Sequence, residues 1–180
     1  MVALIQQSSM IKEEARRLGF DSCGISRAEF LAEDSRYLKD WLLKGYQGSM
    51  NYMNNHADKR TDPRVLVPGA RSVISVLLNY FPARRQITPD APVLSKYAYG
   101  EDYHPVIRSR LKKLLRYIQE YITPVNGRAF TDSAPVLDRA WAARSGLGWI
   151  GKNTNLISPE SGSFFFIGSL MVDIPLAYDK

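Results

Sequence analysis

The sequence is poor in the side chains that bind metals through sulfur or imidazole. Its 180 residues include one cysteine, Cys23, and only two histidines, His56 and His104. A single cysteine excludes a disulfide within the chain and any zinc or iron-sulfur site built from its own thiolates. Neither histidine has a second histidine or a carboxylate at a spacing typical of a metal site. The sequence therefore predicts no metal site, and its cysteine content suits a reducing, cytoplasmic setting.

Long hydrophobic runs are missing as well. The N-terminus lacks the basic segment, long apolar stretch and small-residue cleavage site of a signal peptide. The longest apolar stretch, Phe164 to Val172, is interrupted by Gly168 and Ser169, whereas a membrane-spanning helix needs about 20 residues. We therefore expect a soluble protein without a membrane segment. The G-x-S-x-G motif of serine hydrolases is also absent.

Basic residues outnumber acidic ones, with 24 Lys and Arg against 18 Asp and Glu, a net charge of +6 and a pI near 9.5. Such a charge favours polyanionic partners. Arg108, Lys112 and Arg116 recur every four residues on the longest predicted helix and form a basic ridge along it. This ridge either contacts RNA phosphates or is simply a solvated helix face, and the sequence leaves both interpretations open.

The apolar pattern predicts a layered α/β (α+β) fold. The apolar run from Ser72 to Tyr80, bounded by prolines, is typical of a strand buried on both faces in the middle of a sheet. The N-terminal segment is predicted to form a short helix that ends at Gly19. Three further helices are predicted over residues 30–42, 103–122 and 136–145. In the second helix one face is predicted to carry Phe30, Tyr37, Leu38, Trp41 and Leu42. The other predicted strands are 20–25, 128–131, 154–157 and 163–172. Together these elements predict one domain with a central mixed sheet flanked by helices.

Residues 146–151, Gly-Leu-Gly-Trp-Ile-Gly, match the G-x-G-x-x-G pattern of dinucleotide-binding proteins. That pattern binds a pyrophosphate only where a strand precedes it and a helix follows. Here a helix precedes and a strand follows, which excludes a Rossmann-type site. The glycines either let the backbone approach a large flat ligand, with donors from Lys152 to Asn155 just beyond, or form an ordinary turn after a helix.

Asp132 follows a short predicted strand and precedes a proline-started helix, a common location for active-site residues. A carboxyl group there acts as a general acid if burial raises its pKa. Alternatively, Asp132 caps the following helix or pairs with an arginine. Nearby in sequence, Tyr97, Tyr99 and Tyr103 either stack on a base or cofactor or pack into the core.

Three segments taken together resemble the epoxyqueuosine reductases: 96–104 (KYAYGEDYH), 131–139 (TDSAPVLDR) and 143–153 (ARSGLGWIGKN). The resemblance extends through residues 45–53, 59–63, 162–168 and 172–176. It implies a nitroreductase-like fold, as in cobalamin-dependent reductases, and a relationship to the reductive dehalogenases. It also implies an oxidoreductase that reduces the epoxycyclopentane ring of epoxyqueuosine in tRNA, the last step of queuosine biosynthesis.

The resemblance further implies a base-off cobalamin held between this domain and a ferredoxin-like domain with two four-iron four-sulfur clusters. The family's proposed proton donor falls on Asp132. By their positions in the shared motifs, the candidates for the cobalamin pocket are Arg60, Ser95, Tyr97, Asp132, Arg139, Lys152, Asn153, Leu156 and Ile157. The anticodon stem-loop of the tRNA is expected on the basic face that carries Arg108, Lys112 and Arg116.

In that family the cluster-binding cysteines follow the segment 172–176, and this sequence ends at Lys180. We therefore expect residues 1–180 to form a single cobalamin- and substrate-binding domain without clusters: a truncated, inactive monomer that binds cobalamin weakly. One rival interpretation is a non-catalytic RNA-binding module, which fits the charge but leaves Asp132 unexplained. The other is a related cobalamin-dependent reductase of a small molecule, because a cofactor pocket does not reveal the substrate.

Overall fold

The computed structural model describes residues 2–82, 87 and 90–179, and within them the chain forms six helices and six strands. In chain order these elements are α1 (Val2–Arg17), β1 (Ser22–Arg27), α2 (Ala32–Leu43), α3 (Ala57–Thr61), α4 (Pro63–Leu66), β2 (Ser72–Asn79), α5 (Tyr103–Tyr121), β3 (Gly127–Phe130), α6 (Asp138–Arg144), β4 (Trp149–Ile150), β5 (Leu156–Ile157) and β6 (Phe165–Val172). Each helix and strand predicted from the sequence has a counterpart here, shifted by a few residues. The short elements α3, α4 and β4 were not predicted.

The central sheet has four strands in the order β1-β2-β6-β3. The first six residues of β2 are buried, and β2 lies between β1 and β6, which confirms the predicted central strand and the layered α/β class. All three strand pairs are antiparallel, so the prediction of a mixed sheet was wrong. Alternation of helices and strands along the chain is compatible with either direction of pairing, and the sequence pattern therefore does not distinguish them.

Helices α1 and α5 cover one face of the sheet, called here the closed face. Helix α5 turns four fully buried side chains toward it, at the spacing of an amphipathic helix: Ile107, Leu111, Leu114 and Ile118. They pack in one cluster with side chains of the sheet, including Ile74 and Leu170. At Gly168 of β6 an added Cβ would lie 2.6 Å from the Cγ2 atom of Ile107, so α5 packs directly on the strand backbone.

Helix α6 covers part of the opposite face, called here the open face. Trp141 of α6 is buried in a cluster with Val73 and Met171 of the sheet. Polar side chains lie among these apolar ones: the Ser145 hydroxyl donates to the Ser75 hydroxyl at 3.3 Å, and Ser75 itself is fully buried. The open face therefore combines a smaller apolar core with hydrogen-bonded serines.

Helix α2 has the predicted position, and Gly45 just beyond it adopts a left-handed φ of +69° that suits a helix end. Its predicted apolar face is only partly covered, because Leu38, Trp41 and Leu42 are half-buried while Phe30 is 46% exposed. Ser35 is the buried residue of α2, while Tyr37 is 64% and Leu43 86% exposed. Periodicity shows which side chains share a face of a helix, but not whether another element covers that face.

Cys23 lies in β1 and packs, partly buried, against the apolar cluster of the closed face. Burial raises the pKa of its thiol to about 12. In the ranges that the structure describes, no three His, Cys, Asp or Glu side chains are grouped to hold a metal ion. No helix in those ranges is long and apolar enough to cross a membrane.

Candidate functional site

A cavity of about 650 Å³ opens at the open face of the sheet. Its walls come from the region of α2 and α3, the loop between β3 and α6, the hairpin of β4 and β5, and β6. The polar side chains that line it include Tyr52, Arg60, Asp132, Asp138, Arg139 and Thr154. The cavity therefore joins segments that lie far apart in the sequence.

Asp132 stands in the loop after β3 with a φ of +50°, in the left-handed region. Aspartate tolerates this conformation better than most residues. Its carboxylate accepts a hydrogen bond from the hydroxyl of Tyr103, and its side chain is 51% exposed. Helix α6 begins only at Asp138, and in the described part of the chain no arginine lies within ion-pair distance of Asp132. Asp132 is thus neither a cap of α6 nor the partner of an arginine, the two structural alternatives that the sequence left open.

Tyr103, the first residue of α5, fixes the orientation of Asp132. Its ring stacks on Phe166 of β6, with ring centroids 3.8 Å apart and planes 5° from parallel. Desolvation, and then the hydrogen bond to Asp132, raise the pKa of Tyr103, so its hydroxyl remains a donor at neutral pH. The predicted aromatic cluster is divided by the structure, because Tyr103 packs against the sheet while Tyr97 is 57% exposed.

His104 lies between two carboxylates. Its Nδ1 atom is 2.7 Å from Oδ1 of Asp102, and its Nε2 atom is 3.9 Å from Oδ2 of Asp132. Asp102 caps α5 by accepting from the backbone N–H of His104 at 2.9 Å, and the pKa of Asp102 is lowered by this bond first. The three side chains form a line of titratable groups from the exposed start of α5 to the cavity.

Asp138 is a second carboxylate in the cavity wall, at the first residue of α6. The hydroxyl of Ser169 donates to its Oδ1 atom at 2.9 Å. Burial, and to a smaller extent the charge of Asp132, raise the pKa of Asp138 to about 7. Sequence reasoning missed this residue, although it stands six positions after Asp132 in one of the segments that carry the family resemblance.

Two guanidinium groups line the cavity. Arg60 donates from Nη2 to the carbonyl of Tyr52 at 3.1 Å, while its Nε atom is buried without a hydrogen-bond partner among the described residues. Arg139 donates from Nη1 to the carbonyl of Thr154. Thr154 has a φ of +64°, an unfavourable conformation for a β-branched residue that commonly occurs at functional sites. The cavity wall thus contains one buried donor, Arg60 Nε, that no described residue satisfies.

Of the nine residues predicted for the cobalamin pocket, Arg60, Asp132 and Arg139 line the cavity and six do not: Ser95, Tyr97, Lys152, Asn153, Leu156 and Ile157. Leu156 is 2% exposed and packs with Leu77 in the core, so its side chain faces away from a ligand. Ser95 and Tyr97 belong to the turn before α5, and Lys152 and Asn153 to the turn between β4 and β5. Their assignment remains a prediction.

The glycine segment 146–151 leads from α6 into the β4–β5 hairpin. A helix therefore precedes the glycines and a strand follows them, the reverse of the order that a Rossmann site needs. At Gly148 the φ is +152°, and an added Cβ would lie 2.1 Å from the carbonyl oxygen of Ile157. The close approach that this glycine permits is therefore made to the chain's own hairpin.

The predicted basic ridge lies on the exposed side of α5. Arg108, Lys112 and Arg116 surround a shallow depression of about 440 Å³ together with Lys113. In the residues that the structure covers, none of the three ridge residues forms an ion pair. Arg110 differs, because its Nη1 atom donates to the carbonyl of Gly19 at 2.8 Å. The ridge thus presents three cations free to meet phosphates.

Comparison with known proteins connects this geometry to one family. A family model described as epoxyqueuosine reductase QueG, DUF1730, matches residues 60–133. An epoxyqueuosine reductase of Cellulophaga algicola is 57% identical over 174 residues, which are 97% of this chain and 56% of that relative. The chain therefore spans about half the length of the curated relatives it matches.

Solved structures show the same similarity. A crystal structure of an epoxyqueuosine reductase with an epoxyqueuosine-modified tRNA-Tyr stem loop matches with a TM-score of 0.84 and 27% identity, over 97% of this chain and 47% of that one. A structure of the Bacillus subtilis epoxyqueuosine reductase, described with an aspartate catalytic loop swung out of the active site, matches with a TM-score of 0.82 and 26% identity over the same shares. A reductive dehalogenase described as B12-dependent matches with a TM-score of 0.59 and 15% identity, over 98% of this chain and 21% of that one, and therefore shares the fold alone.

Proposed function

The chain belongs to the epoxyqueuosine reductase family, and on that premise we propose that it is the substrate- and cobalamin-binding part of an enzyme that reduces epoxyqueuosine to queuosine in tRNA. The observation that carries this proposal is Asp132, held by Tyr103 at a cavity whose walls combine polar and apolar side chains. The relatives' names and the tRNA stem loop bound to one of them support the substrate. A tRNA substrate implies a reaction in the cytoplasm, and we propose that the protein acts there as a monomer.

The cavity has features that suit a cobalamin. The corrin ring is rimmed with amide groups, and the buried Nε of Arg60 is a donor that an amide carbonyl would satisfy. Arg139 and the strained Thr154 form another part of the same wall. Cobalamin is larger than 650 Å³, so this chain would enclose only part of it, and a second surface would be needed to complete the site. The B12-dependent dehalogenase with the same fold lends further support.

The bound cobalamin would supply the two electrons of the reduction, and the residues of this chain would handle the protons. Opening the epoxide and releasing its oxygen as water breaks two C–O bonds, forms one C=C bond and consumes two protons. We assign the first proton to the carboxyl group of Asp132. Because the Tyr103 hydroxyl engages Oδ2, the Oδ1 atom of Asp132 is the one free to face the substrate oxygen.

Electrons must reach the cofactor from outside these 180 residues. A four-iron four-sulfur cluster takes four cysteine thiolates, and the sequence contains only Cys23. We therefore propose that this chain alone is inactive and binds cobalamin weakly. Titrating the chain with cob(II)alamin and following the visible spectrum tests this point, with a longer protein that adds a cluster-bearing part as the comparison. Tighter base-off binding by the longer protein is expected, and no binding by either protein would contradict the proposal.

The catalytic assignment is tested by Asp132→Asn in such a longer, cluster-bearing protein. Loss of a general acid is expected to lower turnover of epoxyqueuosine tRNA by about 10²- to 10⁴-fold, with the cobalamin spectrum unchanged. The matched control is Asp40→Asn, the same change on the exposed side of α2. Turnover within a factor of two of wild type in the Asp132 variant would remove Asp132 from the mechanism.

The tRNA assignment is tested on the basic ridge. Replacing Arg108, Lys112 and Arg116 with alanine is expected to weaken tRNA binding and to reduce the slope of log K against log salt by about 0.7 to 0.9 for each lost phosphate contact. The control removes three exposed cations from another surface, at Arg36, Lys39 and Lys44. Equal effects of the two triple variants would mean that net charge, rather than the ridge, attracts the RNA.

A reductase of a small molecule is the second candidate, favoured by the shared fold of the reductive dehalogenase. The two functions differ in the substrate that reaches the cavity. Turnover of a free epoxyqueuosine nucleoside as efficient as that of the tRNA, with no effect of the ridge substitutions, would favour the small-molecule reductase.

A further inference from the structure

We propose that Asp138 is a positioning residue for the second proton of the reduction, which it passes to Asp132 after Asp132 has protonated the substrate. The inference rests on the function proposed above and extends it, because that function assigns only the first of two protons. Asp138 belongs to the same cavity wall as Asp132, but it is held by a different part of the fold, the start of α6 against β6.

The surroundings of Asp138 favour a neutral carboxyl group. The side chain is half-buried, and the hydroxyl of Ser169 at 2.9 Å is a neutral donor rather than a cation. The adjacent guanidinium of Arg139 is directed to the carbonyl of Thr154 instead. Within the described ranges Asp138 forms no ion pair. A carboxylate removed from water without a cationic partner is destabilised relative to the neutral acid.

Some groups around the cavity raise the pKa of Asp138 and others lower it. Burial raises its pKa to about 7, the charge of Asp132 adds to this effect, and the Ser169 hydrogen bond and the charge of Arg139 oppose it. Arg60 of α3 and Asp34 of α2 also line the cavity. Removal from water and the like charge of Asp132 thus both favour the protonated form of Asp138.

The reduction consumes two protons and therefore needs a second proton donor besides Asp132. The first proton neutralises the oxygen when one C–O bond of the epoxide opens, and the second leaves with that oxygen as water when the other C–O bond breaks. A bound, reduced cobalamin would supply the two electrons, and the C=C bond would form as the water departs. One carboxyl group carries one proton at a time, so Asp132 must be reloaded before the second transfer. Asp138 provides that proton inside the cavity, whereas His104 approaches Asp132 from the exposed start of α5.

The first test uses the 180-residue chain itself and needs neither cofactor nor substrate. With aspartate carboxyl carbons labelled by ¹³C, a pH titration by NMR should show one carboxyl group titrating near neutral pH. That signal should vanish in Asp138→Asn. It should move to lower pH in Asp132→Asn, which removes the like charge, and to higher pH in Ser169→Ala, which removes a donor to the charged form. If every carboxyl group titrates below about pH 5, Asp138 holds no proton at neutral pH and the inference is wrong.

The second test measures turnover against pH in the longer, cluster-bearing protein. Wild-type turnover is expected to decline above about pH 7, and Asp138→Asn is expected to lower turnover by about tenfold and to remove that decline, a change that a merely structural role would not produce. Ser169→Ala keeps the carboxyl group and should move the decline to higher pH. If Asp132→Asn abolishes turnover while Asp138→Asn changes neither rate nor pH profile, this inference fails and the proposed function stands. If Asp132→Asn is also without effect, the proposed function fails first.

Discussion

The closed and open faces of the central sheet differ in what covers them. The closed face is covered by α1 and α5 with aliphatic side chains, and the buried stripe of α5 is wholly inaccessible to solvent. The open face carries buried serines, the titratable Asp138 and a cavity of about 650 Å³. Beyond the cavity, α2 leaves Tyr37 and Leu43 exposed. One face therefore supplies most of the stability, and the other provides the polar and open surfaces that a ligand requires.

This division explains how the candidate site tolerates unfavourable local structure. Asp132 and Thr154 both adopt left-handed conformations at the cavity, and the buried Nε donor of Arg60 has no partner among the residues that the structure describes. Each feature costs about 1 to 3 kcal/mol. The apolar packing on the closed face can offset such costs, because the two faces share the same four strands and unfold together.

The largest expected effect on stability is on the closed face. Leu111→Ala removes a fully buried side chain of α5 from the main cluster, and we expect it to lower the free energy of unfolding by about 2 to 5 kcal/mol. Urea denaturation followed by circular dichroism measures the change. A loss below about 1 kcal/mol would mean that the closed face is not the principal source of stability.

An intermediate effect, with a distinct pH dependence, is expected on the open face. The folded-state pKa of Asp138, about 7, lies above its ordinary value of 3.8, so the folded protein binds more protons than the unfolded chain between those values. The stabilising contribution of Asp138 is therefore complete below about pH 4 and is lost as the pH rises to about 7. Asp138→Asn removes this loss, and at pH 8 it should stabilise the protein by about 1 to 3 kcal/mol relative to wild type.

Urea denaturation at pH 4 and pH 8 measures this difference. The two proteins should differ less at pH 4, because both then carry a neutral group at position 138. Ser169→Ala is the companion variant, because it keeps the carboxyl group but removes its hydrogen-bond donor. The stability of this variant should fall more steeply with pH than that of wild type. An Asp138→Asn protein that is less stable than wild type at pH 8 would show that the carboxylate is stabilising and would contradict the assignment.

The smallest effect is expected on α2. Leu43→Ala shortens a leucine as Leu111→Ala does, but at a side chain that is 86% exposed, so the free energy of unfolding should change by less than about 0.5 kcal/mol. The same denaturation experiment measures it. A loss comparable to that of Leu111→Ala would show that α2 is buried against another surface in solution.

These two leucines also show what could be predicted from the sequence. The stripe of α5 and the buried run of β2 were identified correctly, because long periodic segments determine their own local structure. Helix α2 was also predicted correctly from its periodicity, but the pattern does not report whether another element covers its apolar face, which is only partly buried. The antiparallel pairing of β2 with β6 joins residues almost 100 positions apart, beyond what local patterns reveal.

The candidate site likewise has one residue that the sequence motif identified and other features that only the structure reveals. Asp132 was found through its motif and lines the cavity, while its role as proton donor stays a prediction. The hydrogen bond from Tyr103 spans 29 positions and that from Ser169 to Asp138 spans 31, so neither follows from the spacing of residues in the sequence. Asp138 was missed because a carboxylate at the start of a helix is ordinary in sequence terms, and only its burial distinguishes it.

The partly buried thiol of Cys23 gives this chain a single natural site for labelling with thiol reagents. Burial raises the pKa of this thiol to about 12, and the thiolate is the form that reacts, so the folded protein should react slowly with thiol reagents at pH 7. Cys23 lies on β1, at the edge of the sheet and paired with Val76 of β2. Since no other cysteine competes for a thiol reagent, the labelling rate of the unmodified protein reports the reactivity of this one position at the sheet edge.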